Sequence, residues 1–157
     1  MKTSTTARRQ PRRKKSREAV IAAFWDFSAN RDSLKDSDRR PQIEEGLSAY
    51  LLQAVRETFD LQDGSLETLF NASISNLEGC KREQKSLDPV ASERLDRIAS
   101  ISHLVEEVFE NRETAARWMS KPNKALGGSP PIMLCKTEAG ANQVRRVLQA
   151  LEWGGVA

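Results

Sequence analysis

Residues 87–111 read LDPVASERLDRIASISHLVEEVFEN. Asp88 offers its carboxylate as a helix cap and Pro89 stands at the first helical position, where its missing N–H costs nothing. Ala91, Leu95, Ile98, Val105 and Val108 then recur at helical spacing, with Phe109 beside them and Glu93, Asp96, Glu106, Glu107 and Glu110 assigned to a polar face. A helix of this length must bury its stripe against other amphipathic elements, and they flank it on both sides. Upstream, GLSAYLLQAVRETFD (46–60) has Ser48 as cap, Leu47 placed to staple against Leu52, and Leu51, Ala54, Val55 and Phe59 on one face. After LQDGS, read as a turn, SLETLFN (65–71) turns Leu66, Leu69 and Phe70 inward. Downstream, Asn111 caps RETAARWMS and Thr137 caps TEAGANQVRRVLQALE, whose Ala141, Val144, Val147, Leu148 and Leu151 face inward. Nowhere do Val, Ile, Thr and Tyr alternate with the period of two that half-buried strands need, and aromatics are only 6% of the chain. The fold class expected is all-α, a small helical bundle.

Length and composition bound the rest. A chain of 157 residues, 38% hydrophobic and 30% charged, holds one modest domain or two very small ones. No apolar run reaches a membrane span, and the basic start lacks the apolar stretch of a signal peptide, so a soluble, cytoplasmic protein without a membrane partner is expected. Cys80 and Cys135 stand far apart, which favours free thiols over a disulfide or a zinc site. No catalytic set can be assembled. His103 sits midway along a helix, Glu106 and Glu107 are adjacent and so point apart, and no phosphate-binding glycine loop or metal-ligand spacing occurs. No enzyme activity, metal, cofactor or small-molecule substrate is expected.

Charge is distributed unevenly. Residues 1–17, MKTSTTARRQPRRKKSR, contain eight of the 25 cations and no acid, leaving 17 cations against 22 acids in the remainder, a net of −5. Such a self-repelling block is expected to be disordered when free, and Arg12, Arg13, Lys14 and Lys15 read either as an arm on nucleic-acid phosphates or as a solubilising tail. EAVIAAFWDF (18–27) forms a short helix apolar on more than one face, packed on its own domain or on a second copy. Residues 28–42 read as a polar linker, so the expected divisions are a basic tail (1–17), an apolar helix with its linker (18–42), a DNA-reading unit (43–86) and a second helical unit (87–157).

Two short helices joined by a tight turn, the second capped by Ser73 and continuing SISNLEGCKREQK, describe a helix-turn-helix. On that geometry Ser73, Ser75 and Asn76 lie toward base edges, and Lys81, Arg82 and Lys85 toward phosphates. Glu67, Glu78 and Glu83 offset those three cations, so the basic tail is expected to supply phosphate contacts that the motif lacks.

The remaining unusual stretch is RWMSKPNKALGGSPP (117–131). Pro122 biases Lys121 out of the helical region, Gly127 and Gly128 permit backbone angles that a side chain forbids, and Pro130 and Pro131 stiffen the exit. So constrained a loop loses little entropy when a partner docks. It reads either as a binding surface or as a connection with Trp118 and Leu126 in the core. The run LFNASISNL, then LDPVASERLDRIASI, then VFENRETAARWMSKPNKALGGSPPIMLCKTEAGANQV and a terminal WGGVA resembles the Xre/MbcA/ParS family of bacterial type II antitoxins over residues 47–157. The resemblance implies an Xre-like helix-turn-helix joined to a C-terminal toxin-binding domain, with a RES-type, NAD-consuming toxin as partner and operator DNA as a second partner. It places Pro122, Asn123, Leu126, Gly127, Gly128, Trp153, Gly154, Val156 and Ala157 at the toxin. A homo-oligomer is expected because two-fold repressors bind two half-sites and because the 18–27 segment has more apolar surface than one short helix can hide. The alternative function is a stand-alone helix-turn-helix regulator without a toxin.

Overall fold

The computed structural model describes residues 12–154, with side chains from Arg17 onward. Helices follow in the order α1 (Arg12–Ser33), α2 (Asp36–Glu45), α3 (Tyr50–Phe59), α4 (Asp63–Phe70), α5 (Ile74–Arg82), α6 (Pro89–Phe109), α7 (Arg112–Ser120), α8 (Pro131–Leu134) and α9 (Glu138–Glu152), with a single 3-10 turn at Lys124–Leu126. The described residues contain no strand, only one isolated bridge between Ser48 and Ser86. The fold is a small all-α bundle. None of its described helices is long and apolar enough to cross a membrane.

Helix α6 is the axis. The Asp88 carboxylate accepts from the Ala91 N–H at 2.7 Å and Pro89 opens the helix, which then carries Leu95, Ile98, Ala99, Ile101 and Val105 with no exposed surface. Helices α1, α2, α4, α7 and α9 all pack against it. Its buried side is wider than one stripe, and Asp96, assigned by sequence to the solvated face, is only 6% exposed.

The segment 18–27 is also corrected. It forms the middle of α1 and packs within its own bundle: Val20, Phe24 and Trp25 are buried, and Phe24 and Trp25 meet Phe59 of α3 edge-on with centroids 5.3 and 6.3 Å apart. Such aromatic pairs add about 0.5–1.5 kcal/mol to the burial itself. Residues 28–42, read as a linker, are helical apart from a break at Leu34 and Lys35, and Ser28 and Arg31 continue the buried side of α1, at four and seven residues from Phe24. The Ser28 hydroxyl donates to the Ala99 carbonyl at 2.7 Å. Arg31, 2% exposed, donates to Asp96 at 2.8 Å and lies over the Phe27 ring; Arg39 of α2 reaches the other Asp96 oxygen and the Ser100 hydroxyl. Asp96 raises the Arg39 pKa above its ordinary value, chiefly by hydrogen bonding. Helix α2 has no fully buried residue, so this ion cluster supplies much of its attachment.

Residues 12–17, expected within a disordered tail, have helical backbone in α1. Arg and Lys are good helix formers, so the helix extends over them once its next turns are packed. Residues 1–11 lie outside the described residues. The LQDGS turn is shorter than expected, since Asp63 already begins α4. Ser48 accepts from the Tyr50 N–H at 3.3 Å, although the helix begins only at Tyr50.

Candidate functional site

The loop after α7 is organised by one side chain. Asn111 caps α7 by accepting from the Thr114 N–H at 2.8 Å, and the helix stops at Lys121, whose extended backbone is what a following proline requires. Asn123, 9% exposed, then accepts from the Ala125 N–H through its side chain at 2.9 Å. Its carbonyl accepts from the Leu126 and Gly128 N–H groups, and its own N–H donates to the Ser129 carbonyl at 3.2 Å. The chain is thereby closed on itself around Asn123. Gly127 and Gly128 take φ of +68° and +85°, left-handed angles that only glycine adopts cheaply. Leu126 is buried and anchors the loop from below, while Pro122, Gly127 and Gly128 face solvent.

Beyond the loop, α8 and α9 are locked together. Thr137 caps α9 by accepting from the Gly140 N–H at 3.0 Å. A Cβ built on Gly140 would lie 2.1 Å from the Leu134 carbonyl oxygen, so the close approach of α9 to the end of α8 exists only with glycine there. Arg97 of α6 donates to the Cys135 carbonyl at 3.1 Å and stands 3.2 Å from the Glu138 carboxylate. Burial pushes the Cys135 thiol up to about 12. Helix α9 buries Ala141, Val144 and Leu148, and the 3-10 turn of the loop packs against it. At its end Trp153 is 89% exposed, followed by Gly154 at φ +82°. Val156 and Ala157 lie outside the described residues. Trp118 is half-buried against Phe109, with ring centroids 5.6 Å apart.

This is the part of the chain that matches a known family. Residues 104–154 match the antitoxin Xre/MbcA/ParS C-terminal toxin-binding domain. Over these residues the chain is similar to the Xre/MbcA/ParS-like antitoxins. A curated relative, Antitoxin Xre of Pseudomonas putida, is 36% identical over 63 residues, and the match spans 40% of each chain's length. The toxin-binding domain therefore contains the last turns of α6, all of α7 to α9, the Asn123 loop and Trp153.

The helix-turn-helix candidates occupy α4 and α5, outside that match. The turn is made by Asn71 at φ +51°, a left-handed angle that asparagine tolerates. Ser73 is committed to capping, accepting from the Asn76 N–H at 3.2 Å, while Ser75 and Asn76 are exposed on the first turn of α5. Lys81 donates to Gln53 at 3.1 Å, and Lys85 pairs with Glu83 at 2.7 Å. That hydrogen bond raises the Lys85 pKa and lowers the Glu83 pKa, and both side chains are exposed. Arg82 is exposed. Arg12, Arg13, Lys14 and Lys15 fall on the first turns of α1, their side chains outside the described set. Sequence reasoning missed Gly140 and the Arg31–Asp96–Arg39 cluster. The capping Thr137 three residues before a glycine could have flagged the first, and the run Phe24, Ser28, Arg31 on one helical face the second.

Proposed function

We propose that the protein neutralises a RES-type, NAD-consuming toxin by laying its C-terminal module over the entrance to the toxin's active site. The observation that carries this reading is Trp153, almost fully exposed at the end of the toxin-binding domain. A lone aromatic left in water at a helix's end is the kind of residue that dominates binding when a partner covers it. The Asn123 loop supports the reading because its conformation is fixed before any encounter, which reduces the ordering entropy of association. Pro122, Asn123, Leu126, Gly127 and Gly128 form or brace this interface, and Trp153, Gly154, Val156 and Ala157 extend it toward the pocket. The protein itself performs no chemistry.

Autoregulation of the operon through DNA completes the proposal, with a homo-oligomer spanning two half-sites. Lys81 and Lys85 already have partners, so the phosphate-binding role falls mainly to Arg12, Arg13, Lys14 and Lys15. Every phosphate that a variant no longer neutralises flattens the dependence of log K on log salt by about 0.9 on duplex DNA. Changing those four residues to glutamine should flatten the slope by roughly 2–4 on that basis; an unchanged slope assigns phosphate binding to α5. The toxin reading is tested by co-expressing the chain with a RES-type toxin from the same operon, then following co-elution on size exclusion and NAD consumption. Co-elution with suppressed NAD loss is expected. A toxin that stays separate and active refutes the reading.

A further inference from the structure

Between α1, the C-terminal end of α3 and α7 lies an open groove of about 610 Å³. Ile21, Ala22, Trp25, Phe59 and Ala116 make it apolar, and Thr58 lines it with them. Thr58 is 9% exposed, and its hydroxyl is buried with no hydrogen-bond partner among the described residues. Helices usually satisfy such a hydroxyl, because leaving it dry costs free energy that a bonded one does not. The volume falls in the range of sites that enclose a ligand or several side chains. Around the rim four cations, Arg17, Arg112, Arg117 and Lys121, balance four acids, Glu18, Glu57, Asp60 and Glu113, with Arg17 paired to Glu57 at 3.1 Å and Arg117 to Glu113 at 3.8 Å. A mouth neutralised in this way suits an apolar protein segment better than a phosphate backbone.

Its location identifies the occupant. One wall is α7, which lies wholly within the toxin-binding domain, and the last residue of that wall is Lys121, immediately before the Asn123 loop. The groove is therefore continuous with the surface assigned above to the toxin. Its other wall is α1, which the family match does not reach.

We infer that this groove is a second docking site for the toxin, receiving an apolar side chain of a toxin segment together with a hydrogen-bonding group toward which Thr58 turns its otherwise dry hydroxyl by rotating about χ1. It deepens the toxin reading and rests on it. The toxin is then held at two places, at the loop and Trp153 by the family domain, and at a groove that only the added α1 completes. Such an arrangement lets α1, which lies outside the matched domain, contribute to discrimination between related toxins.

The test compares binding of the full chain and its variants to the purified toxin of the same operon by calorimetry. Ala22 is exposed, so Ala22→Arg should fold normally while obstructing the groove, and binding should weaken at least tenfold. Thr58→Val removes the hydroxyl at nearly constant volume. It should leave the melting temperature of the free chain unchanged or raised, yet weaken toxin binding severalfold, a combination that a purely structural threonine does not give. If both variants bind the toxin as the wild type does, the groove is not a toxin site. Loss of operator-duplex binding in Ala22→Arg with toxin affinity intact would overturn the inference in favour of nucleic acid. A lower mass in light scattering of free Ala22→Arg would overturn it in favour of a second copy. If the wild type binds no toxin, the functional reading itself fails, and this inference falls with it.

Discussion

Gly140→Ala adds a single methyl group at a place where the fold has no room for it. The new Cβ would stand 2.1 Å from the Leu134 carbonyl oxygen, 2.9 Å from its carbon and 3.1 Å from the Thr137 hydroxyl. Cβ approaches below 3.0 Å essentially do not occur, so α9 must back away from α8 by at least 0.9 Å, the difference from 2.1 Å. Two neighbours are rigid backbone and the third is the capping hydroxyl, so no side-chain rotation relieves the clash. Overpacking of this kind costs about 1–3 kcal/mol, and disturbing the Thr137 cap about 1 more. Against this stands the helical preference for alanine over glycine, at most about 1 kcal/mol. The net of roughly 2 kcal/mol corresponds to a fall in melting temperature of about 4–8 °C for a domain of this size. Gly79→Ala is the matched control, since a Cβ there meets nothing closer than the Arg82 guanidinium at 4.0 Å and the helical gain is unopposed. Thermal melts followed by circular dichroism should move in opposite directions for the two variants. A Gly140→Ala protein melting at or above the wild type would refute the argument that this approach of α9 requires glycine.

Asp96→Ala leaves Arg31 buried without its carboxylate and releases Arg39, so unfolding should become easier by about 3–5 kcal/mol in chemical denaturation; a loss under about 1 kcal/mol would mean the charges are solvated. The Cys135 thiol has its pKa raised from the ordinary 9.0 to about 12 by burial, so the folded state keeps its proton where the unfolded chain loses it. Its contribution to stability is therefore intact below pH 9.0 and declines toward about 12, and Cys135→Ala should show a shallower loss over that window. A thiol reagent at about pH 8 should modify half-buried Cys80 in the native protein and reach Cys135 only on unfolding; equal rates for the two would contradict the burial of Cys135.

Much of the architecture was legible because local chemistry announces itself. Asp88 with Pro89, Asn111, Ser73 and Thr137 were each read as caps, and each accepts the N–H that a cap should. The loop was legible for the same reason, since Pro122 and the Gly127–Gly128 pair restrict or require particular backbone angles. What escaped were interactions between segments distant in sequence. Arg31 and Asp96 are 65 residues apart, and each alone looks like a solvated charge. Their meeting ties the end of α1 and the whole of α2 to α6, where the sequence read a linker. Gly140 escaped although the capping Thr137 three residues before it singles it out, because that pattern does not show the Leu134 carbonyl packed against it. The groove needs α1, α3 and α7 at once, and no single stretch of sequence encodes it.

The central claim is that the C-terminal end of the toxin-binding domain is the inhibitory element. Truncation after Glu152 removes Trp153 and everything beyond it while leaving the buried residues of α9 in place. The measurement is growth rescue in cells expressing the toxin, read beside the thermal melt of the purified truncated chain. The account predicts a nearly unchanged melt with rescue abolished. Full rescue by the truncated protein would contradict it.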